Sequence, residues 1–267
     1  MSSRLQRTLA ISLRKFDYSE TSQILHLYTR DHGKVHCIAK GAKRKKSAFH
    51  GPFDVVTLYE VIRLEKQPGS LDLLTAAEAV RDWRALRADF ARFSAASYAC
   101  DLVDEFTLEG QPQPELFDLL RATLEDLAKG RALAEAVFLF EGRLLRILGH
   151  APRMDECGSC RRKLAGPEAY FSARDGGAVC LRCRPKDPSR ILFKRPVFDA
   201  IAAFVDGRVP NLAILPRFVE DVRRAMDYYV RFLLEHEPKS MRFMREAVLA
   251  ADQKATSKPM KGPETRS

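Results

Sequence analysis

The feature that most constrains this chain is a spacing: Cys157-Gly-Ser-Cys160, nineteen residues, then Cys180-Leu-Arg-Cys183. Two residues between thiols let a tight turn aim both sulfurs at one point, and a second such turn completes a tetrahedron. The pattern predicts a structural zinc site with one ion per chain, because cysteine fills every position and leaves none for water. Between the pairs, Tyr170-Phe-Ser and Asp175-Gly-Gly fit a small β-hairpin. Four unmetallated thiols are the plain alternative. A redox pair fits less well, since neither C-x-x-C sits between a strand and a helix of a thioredoxin-like pattern. Six cysteines in 267 residues are too few for a disulfide scaffold. The other two, Cys37 and Cys100, lie on apolar-patterned segments and read as buried packing residues.

The chain ahead of the cysteines changes period. Up to residue 80 it reads as short strands: Thr8–Phe16, Gln23–Tyr28, Val35–Ala39, Phe53–Leu64 and Leu71–Ala76. Asp31-His32-Gly33, Gly51-Pro52 and Gln67-Pro68-Gly69-Ser70 are the breaks between them. Five strands are the count of a small barrel of the OB type, and an SH3-like barrel meets it nearly as well. After Trp83 the period becomes helical. Leu86, Phe90, Phe93, Cys100 and Val103 form one stripe, Leu116, Leu119, Leu120, Thr123 and Leu127 a second, and Leu133, Val137, Phe140, Leu144 and Leu148 a third. Beyond the cysteines, Pro196 opens Val197–Val205 and Pro216 opens Arg217–Leu234, the latter with a Phe218, Val222, Ala225, Tyr229, Leu233 stripe. The expected architecture is α+β: a barrel over 1–80, then a helical domain over 81–240 carrying the zinc knuckle at about 153–190. A C-terminal extension over 241–267 is expected to be disordered from about 252, where Lys, Ser, Thr and Pro dominate without periodicity.

Charge is distributed unevenly. The net charge is +10, but residues 81–150 hold 9 basic and 12 acidic side chains while residues 1–80 hold 13 and 8. The densest run is Lys40-Gly-Ala-Lys43-Arg44-Lys45-Lys46-Ser47, at the end of a predicted strand. Lys40, Lys43, Arg44, Lys45 and Lys46 on one loop would track a phosphate backbone, which makes them the expected nucleic-acid contacts. A solvated loop or an import tag would use the same residues. Tyr28, Phe49 and Tyr59 are close enough in sequence to stack bases, although filling the barrel core is the favoured role for them. Arg161-Arg162-Lys163 and Arg223-Arg224 are the alternative basic clusters.

Catalytic patterns are missing. The chain has no phosphate-cradling G-x-x-x-x-G-K-[ST], no G-x-G-x-x-G, no H-E-x-x-H and no G-x-S-x-G. The six histidines read as structural or surface residues. Asp101, Asp104, Glu105 and Glu109 read as a solvated helix face rather than a carboxylate site. No run approaches eighteen consecutive apolar residues, so no membrane-spanning helix is expected. Arg4, Arg7, Arg14 and Lys15 flank an apolar start too short for a secretory signal, which points to the cytoplasm.

In order, these features resemble the RecO family of bacterial recombination mediator proteins. The resemblance is carried by KGAKRKKS at 40–47, FHGPFDVVTLYEV at 49–61 and FEGRLLRILGHAP at 140–152, which leads into the first cysteine pair. It is carried further by F-S-x-x-x-G-G-x-x-C into the second pair, and spans roughly residues 4–240. It implies an N-terminal OB-fold, a helical domain and a zinc-binding insert. It also implies a non-enzymatic, nucleoid-associated protein that binds single- and double-stranded DNA and anneals complementary strands. With RecR, such a protein helps load RecA onto DNA covered by single-stranded-DNA-binding protein. The acidic tail of that last partner needs cations beside an apolar pocket; Arg121, Arg143 and Arg146 lie among Leu120, Phe138, Phe140, Leu144 and Leu145. An RNA-binding or ribosome-associated zinc protein, or a scaffold whose basic face meets an acidic tail, would share the basic barrel and the knuckle.

Overall fold

A computed structural model describes residues 4–47, 49, 51–66, 69–184, 188–210 and 215–256, the side chains of 215–218 and 254–256 excepted. Alternation of buried and less buried positions builds five strands: β1 (Leu5–Asp17), β2 (Gln23–Thr29), β3 (Gly33–Ala39), β4 (Leu58–Leu64) and β5 (Asp72–Arg81). They close into a barrel in the order β1-β2-β3-β5-β4, with β4 returning antiparallel to β1. The only parallel contact in this ring is the short one of β3 with β5, at Cys37–Asp72 and Ile38–Leu73. Inside the barrel Ala10, Leu25, Leu27, Cys37, Phe53, Tyr59 and Val61 form a core of their own.

One expected strand is shorter than the sequence suggested. Residues 53–57 are not strand, although their composition is β-branched and aromatic. Val56 is turned into the left-handed region, φ 55°, an unfavourable conformation for a β-branched residue. There its N–H donates to the Ser12 carbonyl, 2.9 Å away. The side chains of Phe53 and Val56 are each 2 % exposed, so the apolar run fills core without pairing.

The helices are α1 (Arg84–Arg87), α2 (Phe90–Phe106), α3 (Pro114–Ala128), α4 (Leu133–Ile147), α5 (Arg195–Val205), α6 (Leu215–Leu234) and α7 (Met241–Thr256). The first expected stripe divides at Asp89, whose carboxylate accepts from the Ala91 and Arg92 N–H groups and starts α2. Phe90 consequently faces out, 70 % exposed. Helix α2 is central, packing on α3, α4, α7 and strand β1. The extension expected after residue 240 is instead part of this core: Met241, Met244 and Val248 are wholly buried. The disorder expected from 252 is likewise overturned as far as Thr256, where α7 ends; residues 257–267 lie outside the described residues. Met241, Met244 and Val248 repeat at helical spacing, and burying each stabilises by roughly 1.5–3 kcal/mol, which holds α7 in place.

Between α4 and α5 the chain forms a small sheet, β6 (Glu168–Ser172), β7 (Gly177–Val179) and β8 (Ile191–Lys194), in the order β7-β6-β8. The expected hairpin is β6–β7, with Tyr170 opposite Val179. Among the described residues, no helix is long and apolar enough to cross a membrane.

Candidate metal centre and nucleic-acid interface

The four cysteines converge. Cys157, Cys160, Cys180 and Cys183 each place a sulfur within 4.8 Å of the others. Cys160 Sγ and Cys180 Sγ are 3.9 Å apart, close to the edge of about 3.8 Å that a tetrahedron with zinc–sulfur bonds of about 2.3 Å requires. The backbone favours thiolate here. Burial opposes ionisation of Cys157, but N–H groups of Cys160, Cys180 and Ser159 aimed at its sulfur outweigh that and bring the thiol down to about 6. Two of these donors lie 3.5 and 3.4 Å from the sulfur. Cys183 lies beside Cys160 and Cys180, and hydrogen bonds with those sulfurs push its thiol up to about 12; a coordinating divalent cation deprotonates such a thiol. The donor set therefore fits zinc in a closed, structural role. Arg153 ties the knuckle to the hairpin, donating to the Gly176 carbonyl and accepting from the Ala178 N–H.

The basic loop leaves β3 at Ala39 and is pinned to the β1–β2 turn. Gly41 takes a left-handed conformation, φ 73°. Its N–H donates to Ser22 Oγ, and the Lys43 N–H donates to the Thr21 carbonyl. Ala42 is buried, whereas Lys40, Lys43, Arg44, Lys45 and Lys46 are exposed. Lys43 Nζ meets Asp17, 3.0 Å away, and that hydrogen bond holds the Asp17 carboxyl below its usual range. Among the described residues, no ion pair engages Lys40, Arg44, Lys45 or Lys46. The loop thus offers four uncommitted cations and one shared with an aspartate.

The aromatic residues fill core. Tyr28 is wholly buried, and desolvation pushes its hydroxyl up to about 12. Tyr59 is 8 % exposed and packs against Phe53 with the rings tilted by 60°, while Phe49 is partly buried against the same cluster. Cys37 and Cys100 are buried as packing residues, and desolvation pushes the Cys37 thiol up to about 12.

Other expectations resolve differently. Arg223 is no surface cation: it is 1 % exposed, 2.6 Å from Glu141 and 2.8 Å from Asp227. Arg162 and Lys163 are exposed beside the cysteines, with Arg182 across the same cleft. Arg121 and Arg146 are exposed and Arg143 is half-buried, but Leu120, Phe138, Phe140, Leu144 and Leu145 are buried in the core. The acidic residues on α2 are not a solvated face. Arg14 of β1 reaches Asp101, Asp104 and Glu105 at 3.2, 3.0 and 2.8 Å, so this face joins the barrel to the helices. The spacing of 101, 104 and 105 puts them on one helix side, but nothing local shows that β1 covers it.

Family comparison agrees with this geometry. Residues 1–83 match the model described as Recombination protein O N terminal, and residues 87–242 that described as Recombination protein O C terminal. The chain belongs to the RecO family. It is 31 % identical over 252 residues to the DNA repair protein RecO of Bacillus pumilus (strain SAFR-032), covering 91 % of this chain and 94 % of that one. It is also 31 % identical over 246 residues to the DNA repair protein RecO of Bacillus subtilis (strain 168), covering 90 % and 94 %. With the DNA repair protein RecO of Anaeromyxobacter sp. (strain K) it shares 32 % over 226 residues, covering 85 % and 89 %. The seam between the two RecO matches falls at α1, where the closed barrel gives way to helices.

Proposed function

We propose that this RecO-family protein is a non-enzymatic DNA-binding mediator of recombinational repair, working at the bacterial nucleoid in the cytoplasm. The observation that carries this reading is the loop of Lys40, Lys43, Arg44, Lys45 and Lys46 at one end of the closed five-stranded barrel, which we read as OB-type. Neutralising phosphates on two strands lowers their mutual repulsion, and base pairing then completes annealing without any chemistry from the protein. With the aromatic side chains in the core, binding rests on charge and is insensitive to base sequence. Zinc on Cys157, Cys160, Cys180 and Cys183 supplies a structural cross-link, and it holds Arg162, Lys163 and Arg182 in a second basic patch. The family supports RecR as partner and RecA loading as outcome. The acidic tail of single-stranded-DNA-binding protein is assigned to the helical part.

Binding of fluorescent single- and double-stranded DNA across a salt series, with annealing followed in parallel, tests the reading. With Lys43 held by Asp17, four phosphate contacts give a log–log slope of about −2.8 on single strands, and all five give about −3.5. Replacing Lys43, Arg44, Lys45 and Lys46 with alanine flattens the slope and weakens all sequences alike. An unchanged slope moves the interface to the Arg162–Lys163 patch. Preferential competition by structured RNA overturns the DNA reading.

A further inference from the structure

His26 on β2 and His36 on β3 face each other directly in the strand register. Their rings stack with centroids 3.9 Å apart and planes 26° from parallel. From the helical side, Asp104 on α2 brings both carboxylate oxygens to 3.3 Å from His26 Nδ1. Glu109, just past α2, meets His36 Nδ1. The other ring nitrogen of His36, Nε2, is buried without a hydrogen-bond partner among the described residues. One donor atom from each of His26, His36 and Asp104 lies within 4.8 Å of the other two.

The charges around the pair do not balance. Asp101, Asp104, Glu105 and Glu109 face two permanent cations, Arg14 and Lys34. His236 approaches only the outer edge, 3.4 Å from Glu105. Setting the two imidazoles aside, the carboxylates outnumber the permanent cations by two, a charge that one divalent cation would supply. Two imidazoles and a carboxylate form a borderline donor set that suits zinc, with Glu109 or water available for a fourth position. Arg14 keeps Asp101 and Glu105 as partners when Asp104 turns to an ion. An entry path exists: a cleft of about 550 Å³ lined by Lys34, His36 and Glu109 opens to solvent. The strand register sets the two imidazoles side by side and α2 supplies the carboxylate, so one ring turns out of the stack to bring its nitrogen onto a shared ion.

We propose that His26, His36 and Asp104 form a second divalent-metal site, of zinc type, that fastens the barrel to α2 independently of the four cysteines. The test is a cobalt titration of the full-length, metal-free protein followed by absorbance and calorimetry. Cobalt on the cysteines gives thiolate charge-transfer absorption, whereas cobalt on histidine and carboxylate gives none. Two equivalents are expected, one with that absorption and one without, both displaced by zinc. His26→Gln combined with His36→Gln removes the second equivalent and leaves the first. A single equivalent in the unaltered protein overturns the proposal, as does a second equivalent that survives in the double variant. If the double variant fails to fold, imidazole nitrogen resonances of the unaltered protein decide. Zinc that shifts both His26 and His36 supports the site, and zinc that leaves them unchanged refutes it.

Discussion

The guanidinium of Arg223 on α6 makes two contacts with the Glu141 carboxylate on α4, at 3.0 and 2.6 Å, with both side chains closed off from solvent. Tyr98 on α2 donates its hydroxyl to the same carboxylate at 2.6 Å. Three helices are thus joined through one buried cluster, in which burial pushes the Glu141 carboxyl up while the facing carboxylates hold Arg223 charged.

Adjacent arginines on α6 should therefore behave oppositely. Arg223→Ala leaves Glu141 and Asp227 as buried charges deprived of their main partner and should cost about 3–5 kcal/mol. Arg224→Ala, whose exposed side chain lies 4.0 Å from Asp221, should cost less than about 1 kcal/mol. Urea denaturation of the two variants checks this, and equal losses would contradict the buried cluster.

Metal removal should act locally. Zinc on four cysteines contributes on the order of 10 kcal/mol to the folding of its own surroundings. Cys160→Ala, or chelation, should raise amide exchange across β6 and β7 while β1–β4 stay protected. Elemental analysis should lose the cysteine-bound ion in the same variant. Native protein that holds no metal, with all four thiols freely titratable, would sink this assignment.

Asp17 is expected to restrain DNA binding. Its carboxylate occupies Lys43, so Asp17→Asn frees that ammonium for a phosphate and steepens the log–log salt slope on single strands by up to about 0.7. Lys43→Ala should accordingly weaken binding less than Arg44→Ala. Fluorescence anisotropy at several salt concentrations separates the two.

Gly142 of α4 packs directly against the backbone of α5. A methyl group there would lie 2.6–2.7 Å from the backbone of Phe204, closer than packed carbon atoms tolerate. Gly142→Ala should cost about 1–3 kcal/mol through overpacking, despite the helix propensity that alanine adds. A thermal melt that rises instead would mean the two helices separate at no cost.

The four-cysteine cluster was legible because its information is local: two pairs, each with two residues between its cysteines, define it. The barrel was legible to its strand count, from alternation and turn residues. Residues 53–57 misled because their composition suits a strand, while the backbone at Val56 answers to Ser12, far away in sequence. Helix α7 was missed as part of the core because Arg242, Arg245 and Glu246 make its sequence look polar, while Met241, Met244 and Val248 face inward. The junction of His26, His36 and Asp104 carries no local signature, since strands and helix meet across 78 residues of sequence. Arg223 misled for a related reason: two consecutive arginines look alike in sequence, and only the helix phase sends one inward.

The stretch that follows α2 bears on how this molecule can be divided. Glu109 bridges Lys34 in parallel fashion, and the Gly110 N–H donates to the Lys34 carbonyl at 3.0 Å. Gly33 lies so close to Gln111 that a side chain at Gly33 would collide with the Gln111 carbonyl. A chain severed at Trp83 would keep all five strands and lose the cover over the start of β3. Unpaired strand edges invite pairing with other chains. The barrel is consequently no transplantable cassette: whatever lineage inherits it must also inherit the loop that shields its flank.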